Sequence, residues 1–137
     1  MQIIKYYFPL AIFLIITVSS CSFNEIDSSK AKACSDGYLD ALKSGNKEDA
    51  LKFYSSEFDN SESPEKKMEK LQRLEEVLGP VTSYELLDSL RVSEGDFPAM
   101  SFTYKVMHPK VNTIEKFIII KDAGDYKITA HQVESEN

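Results

Sequence analysis

Five tyrosines, Tyr38, Tyr54, Tyr84, Tyr104 and Tyr126, fall where helical or alternating spacing turns them toward a common interior. With Phe102 and Phe117 they could line a pocket in which hydroxyls orient a small apolar ligand, since tyrosine joins an apolar ring to a polar tip. The plainer reading is an aromatic core whose hydroxyls reach its rim. Asp88 is in phase with Leu86 and Leu90 and is the one carboxylate on a clearly inward strand face. Buried there it would be a base with a raised pKa, unless a bulge or an edge turns it to solvent. His108 precedes Pro109 in a turn and is expected at the surface. His131 is out of phase with Ile128 and Ala130 and is expected to face away from the helices. The two are not spaced as a metal pair, and neither a metal nor a cofactor is expected. Cys34 lies on an apolar helical stripe and reads as a small buried hydrophobe, because a nucleophile needs a base and neither histidine is placed to serve. A glycine-rich phosphate loop and a Gly-x-Ser-x-Gly elbow are both missing. No catalytic residue is assigned, and the chain is expected not to be an enzyme.

The sharpest chemistry lies at the N-terminus. Met-Gln-Ile-Ile-Lys carries one positive charge, and residues 6–18 are apolar apart from Thr17. That stretch is short of the roughly 20 apolar residues of a spanning helix and fits the apolar region of an export signal. It ends in Val18-Ser19-Ser20-Cys21, which resembles the bacterial lipobox: an aliphatic residue, two small residues, then a cysteine whose thiol receives diacylglycerol. Residues 1–20 are therefore read as a signal peptide, Cys21 as the lipidated first residue, 21–29 as a tether, and 30–137 as one domain. This places the chain at the cell envelope, anchored through lipid on the periplasmic or extracellular side of a bacterial membrane. Ser22 is not the aspartate that retains many lipoproteins at an inner membrane, which favours an outer membrane where the host has one. With Cys21 alkylated, Cys34 has no intramolecular partner, so the domain must be stable through its core alone.

The composition is that of a globular domain, 42% hydrophobic and 28% charged. The formal charge is −6; loss of Lys5 with the signal leaves 15 basic and 22 acidic residues, or −7. An acidic surface repels phosphate backbones, and nucleic acid is not an expected partner.

The elements that must position these residues follow from the spacing. Residues 28–44 are helical, with Ala31, Cys34, Tyr38, Ala41 and Leu42 on one stripe before Gly45. Asn46 caps a shorter second helix that buries Ala50, Leu51, Tyr54 and Phe58. Pro64 opens a third, with Met68, Leu71, Leu74 and Leu78 aligned up to Gly79-Pro80. After Pro80 the period becomes two, over four strands: Tyr84 to Val92, Met100 to Val106, about 112–121, and Tyr126 to Ala130. Three helices followed by four strands joined by short turns predict an α+β domain, with three N-terminal helices packed on a curved four-stranded antiparallel sheet.

The run Tyr38-Leu39-Asp40-Ala41-Leu42-Lys43-Ser44-Gly45-Asn46, followed by Ala50-Leu51-Lys52-Phe53-Tyr54, resembles the opening of small NTF2-like proteins. Leu78-Gly79-Pro80-Val81-Thr82-Ser83-Tyr84 resembles their passage into the first long strand, and Asp125-Tyr126-Lys127-Ile128 their last strand. The likeness covers about residues 30–133 and is closest to the NTF2-like domains of exported bacterial lipoproteins. It implies a cone, a curved sheet wrapped by helices, often with a pocket inside. Enzymes of that fold, such as the ketosteroid isomerases, use an inward Asp base with Tyr and acid partners; the fold also hosts binding and dimerisation modules.

The turns predict the register. An even-length turn after Val106 pairs it with residue 113, placing Thr113, Glu115, Phe117 and Ile119 on the inner face. A four-residue turn at 122–125 sets 119 against 128 and 117 against 130, leaving Lys116, Ile118 and His131 outside. Ile114, Ile118 and Ile120 then make the outer face more apolar than a solvated surface, which suggests a protein partner or a second copy docked on the sheet. The expected function is a non-catalytic NTF2-like lipoprotein that binds a protein partner or a small apolar ligand. The alternatives are an enzyme using the cone pocket, isomerase- or hydrolase-like, and an accessory or immunity-type lipoprotein.

Overall fold

The computed structural model describes residues 25–56 and 62–136. The proposed signal peptide and Cys21 lie outside the described residues, as does Phe58. Helix α1 spans Ser28–Lys43, α2 Lys47–Leu51 and α3 Pro64–Leu78. Strands β1 (Ser83–Glu94), β2 (Phe97–Met107), β3 (Thr113–Asp122) and β4 (Asp125–Ser135) follow and form one antiparallel meander in the order β1-β2-β3-β4. The domain is α+β, with helices packed against a four-stranded antiparallel sheet. Among the described residues no helix is long and apolar enough to cross a membrane.

Each helix begins on a side chain that accepts an otherwise unpaired backbone N–H. Asp27 Oδ1 accepts from Ser29 and Lys30, Asn46 Oδ1 from Asp49, and Ser63 Oγ from Lys66, with Pro64 at the first helical position of α3. Ile26 is buried in the core and Asp27 caps α1, so the packed structure starts four residues ahead of the boundary expected at 30. Helix α2 ends at Leu51, and the chain then leaves the helical path. Ser55 N donates to Ile128 O at 2.8 Å and Ile128 N to Phe53 O at 2.7 Å, a short parallel bridge along the free edge of β4.

Helix α1 lies across β2, β3 and β4, while α3 packs on α2. The core between α1 and the sheet is filled by Tyr38, Leu39, Phe102, Tyr104, Phe117, Ile119 and Ile128, all fully buried. Tyr38 and Tyr104 meet Phe117 edge to face at 5.5 and 5.7 Å, the arrangement the ring quadrupoles favour. The core residues all lie between Ile26 and Ile128, so a chain beginning at Ser22 keeps the whole packed unit.

The predicted pairings Val106–Thr113, Lys121–Tyr126 and Ile119–Ile128 are present, and Thr113, Glu115, Phe117 and Ile119 are buried on the inner face. Two bulges correct the rest. In β1, Leu86 pairs with Tyr104 but Asp88 pairs with Thr103, so Leu87 is an extra residue. From there on the strand's alternation is inverted. Asp88 is exposed on the outer face, its Oδ1 accepting from Ser89 N, and Leu90 is 53% exposed. In β4, Ile128 pairs with Ile119 but Ala130 pairs with Ile118, so Thr129 is the extra residue. Ala130 therefore joins the outer face, and His131, expected outside, pairs with Phe117 on the inner one.

Candidate functional site

The bulge in β4 brings His131 onto Phe117, the rings stacked at 4.2 Å and 16°. Its Nε2 donates to Glu115 Oε1 at 2.7 Å. From the other side, the turn between β2 and β3 folds His108 under the end of α3, where Nδ1 donates to Gly79 O at 3.0 Å. Gly79 has φ +85, and a Cβ there would lie 2.8 Å from Pro109 Cδ, so glycine is what lets this turn sit against the helix end. The expectation of an exposed His108 is thus corrected: its side chain is 7% exposed, and that of His131 8%. Thr113 Oγ1 donates to Glu115 Oε2 at 2.7 Å and lies 3.3 Å from His108 Nε2. His108 Nε2 is 3.9 Å from that carboxylate oxygen, an ion-pair distance bridged by the threonine hydroxyl. Behind His131, Tyr54 Oη is 3.2 Å from Nδ1 and donates to Tyr38 Oη at 3.0 Å.

Tyr38, His108, Glu115 and His131 form the polar floor of a cleft walled by Leu42, Leu71, Leu74, Leu78, Val81 and Val133. Lys47 and Glu75 form an ion pair at its mouth. The enclosed space is about 40 Å³, enough for a few waters or one small polar group. Burial alone would raise the Glu115 carboxyl, but the donors from His108, His131 and Thr113 outweigh it and hold the group at about 2. Reciprocally, the carboxylate holds His108 above the ordinary imidazole value against burial, helped by the Gly79 carbonyl. Burial, then the neighbouring Tyr54, keeps Tyr38 well above the usual phenol range and therefore neutral.

Of the seven residues expected to line a pocket, the cleft takes only Tyr38 directly. Tyr54 stands behind it. Tyr104 is bound inside the core to Ser35 Oγ at 2.7 Å and donates to Asp36 Oδ1 at 2.8 Å, and Tyr84 donates to Asp40 Oδ1 at 2.7 Å on the rim. Phe102 and Phe117 are packing residues, and Asp88 is on the other side of the sheet. Ile114, Ile118 and Ile120 do lie on the outer face, where they are half-buried. His108, Thr113, Glu115 and His131 were not expected to act together. Their signal was already present in the parity that sends Thr113 and Glu115, two polar residues, into an otherwise apolar interior. Among the described residues no group of three or more His, Cys, Asp or Glu side chains is disposed to hold a metal ion.

No protein-family model matches the chain. No curated protein matches it either. Among solved structures, that of Bdellovibrio bacteriovorus Bd1075 is similar, with a TM-score of 0.56 and 13% sequence identity, covering 80% of this chain and 40% of that one. The match thus spans only 40% of that chain, and at this identity the likeness speaks for the fold alone.

Proposed function

We propose that this is a lipid-anchored envelope protein whose NTF2-like domain is a non-catalytic binding module, taking a small apolar ligand in the cleft over Glu115. The observation that carries the reading is the combination of apolar walls with a floor whose carboxylate is already fully bonded. Convergent polar groups at the base of an apolar cleft are the usual form of a small-molecule site. A carboxyl held at about 2, with both oxygens occupied by donors, is a poor general base near neutral pH, which argues against the isomerase-like alternative. Export and anchoring rest on the lipobox-like segment ending at Cys21. The partner reading keeps one supporting observation: Leu90 and Phe97, 53% and 64% exposed, extend the apolar outer face around Ile118.

Two experiments test this. The full chain and Cys21→Ser, expressed in a bacterial host, are compared by membrane fractionation; processing and partition of the variant like wild type would remove the anchor. The chain from Ser22, first checked for cooperative unfolding, is titrated with the neutral apolar dye N-phenyl-1-naphthylamine. Saturable binding that Leu74→Arg abolishes supports the cleft. Binding unaffected by that substitution, or none at all, would remove it.

A further inference from the structure

We infer that the outer sheet face, at the end formed by the β1–β2 and β3–β4 turns, rests on the lipid surface to which the chain is anchored, with Phe97 and Leu90 in the bilayer interface. This rests on the lipid anchor proposed above and names the surface that the anchor brings to the bilayer. The first observation is that the outer face is divided into two halves along its strands. Leu90, Ser101, Ile118 and Ala130 are paired in one row across the sheet. Val92, Phe97 and Ile120 lie beyond that row on the same face, toward the turns. Phe97 and Leu90 are more than half exposed. Charges stand only at the margin of this half: Glu94 opens the β1–β2 turn, and Lys127 Nζ reaches away to donate to Lys52 O at 2.7 Å. In the other direction the next row is Asp88, Thr103, Lys116 and Gln132, followed by Glu85, Lys105, Ile114 and Glu134. That half is built for water.

The second observation is where the chain enters the domain. Ile26 is buried in the core, its carbonyl accepts from Arg91 Nη1 at 3.3 Å, and Asp27 N donates to Tyr126 Oη at 3.0 Å. Arg91 and Tyr126 lie next to the two turns, near the end of β1 and at the start of β4. The entering chain is thus fixed at the same end of the sheet as the apolar half. Ile26 follows Cys21 by five residues, and a chain of that length reaches at most about 18 Å. Strand β2 alone has 11 residues, a run of about 35 Å. Lipid on Cys21 therefore holds the turn end against the bilayer, and the polar half lies farther out. A protein partner gives no reason for the apolar half to coincide with the end that carries the anchor. The turns hold Glu94, Asp96, Asp122 and Asp125 against Lys121, so the contact rests on buried apolar area and not on attraction to anionic headgroups. The cleft over Glu115, between α3 and the β2–β3 turn, lies at the opposite end and stands away from the lipid.

The chain has no tryptophan, so a single introduced indole reports its own surroundings. Phe97→Trp, Leu90→Trp, Gln132→Trp and Val77→Trp are made in the full chain, each checked for cooperative unfolding like wild type. The products are purified from a bacterial host, and mass spectrometry reads the lipid on Cys21. They are reconstituted into phosphatidylcholine vesicles with and without phosphatidylcholine brominated near the headgroup end of its acyl chains. The indoles at positions 97 and 90 should lose at least about half of their fluorescence to the brominated lipid, as side chains sunk about 5–10 Å into the interface would. Those at 132, on the polar half, and at 77, beside the cleft, should lose none. Equal quenching at all four positions, or none at 97 and 90, in a chain that carries its lipid overturns this inference while the anchor stands. A chain exported without lipid on Cys21 overturns both. The chain from Ser22 should sediment as a monomer; a dimer that Leu90→Arg splits would give the face to a second copy and also overturn the inference.

Discussion

Replacing Glu115 with Gln keeps the shape of the side chain and removes the charge that holds both imidazoles. Depression of the carboxyl from 4.5 to about 2, at about 1.4 kcal/mol per pH unit, corresponds to about 3 kcal/mol. Breaking a buried ion pair on one side costs a similar amount, about 3–5 kcal/mol. The pH dependence has two limbs. Because Glu115 is depressed in the folded state, its stabilisation is present above about 4.5 and is lost as pH falls toward about 2. Because His108 is raised, its stabilisation is present below 6.5 and is lost as pH rises through the raised folded value. Both limbs express one interaction seen from its two partners, so their energies are not added. Urea unfolding of wild type and Glu115→Gln, followed by circular dichroism at pH 3, 5.5 and 8, should place the largest difference at pH 5.5. A variant within about 1 kcal/mol of wild type at pH 5.5 would refute the network's contribution. So would a variant that retains both limbs.

Phe117→Ala should cost about 3–5 kcal/mol in the same assay, since Phe117 is fully buried, and should also free the His131 ring it stacks on, shifting its imidazole proton resonances. Gly79→Ala should lower the melting temperature, because a positive φ of 85° costs about 1–3 kcal/mol and the new Cβ meets Pro109; the His108 resonances should move with it. Cys34 is buried and its thiol is pushed up to about 12, chiefly by burial, so iodoacetamide should label it only in denaturant. Asp27→Ala should remove the α1 cap at a cost of about 1 kcal/mol, read as a lower urea midpoint.

The elements were legible because helix and strand periods leave different apolar spacings, and the caps and turns around Asn46, Pro64 and 122–125 mark their ends. The inner face of β2 and β3 was legible for the same reason, since a short turn transmits parity from one strand to the next. Parity fails where a residue is inserted. Leu87 and Thr129 each add one residue to a strand, and nothing in their side chains marks them as bulges. The assignments beyond them, Asp88, Leu90 and Ala130 inside and His131 outside, were therefore all inverted. His108 was hidden for another reason. A histidine before proline in a turn reads as exposed, and its burial depends on a nonlocal contact with the end of α3 at Gly79. The floor of the cleft is thus assembled from positions that local pattern treats as surface.

The chain of hydrogen bonds from His108 to Tyr38 also spans very unequal lengths of sequence. His108 and Thr113 are five residues apart, so their contact can form as soon as the β2–β3 hairpin closes. Glu115 and His131, 16 apart, must wait for β4 to dock. Tyr54 and His131 are 77 residues apart, so that link closes the largest loop of the three and carries the largest closure entropy. The Tyr54 hydroxyl thus ties the segment after α2 to β4 and closes the longest loop among the bonds beneath the cleft.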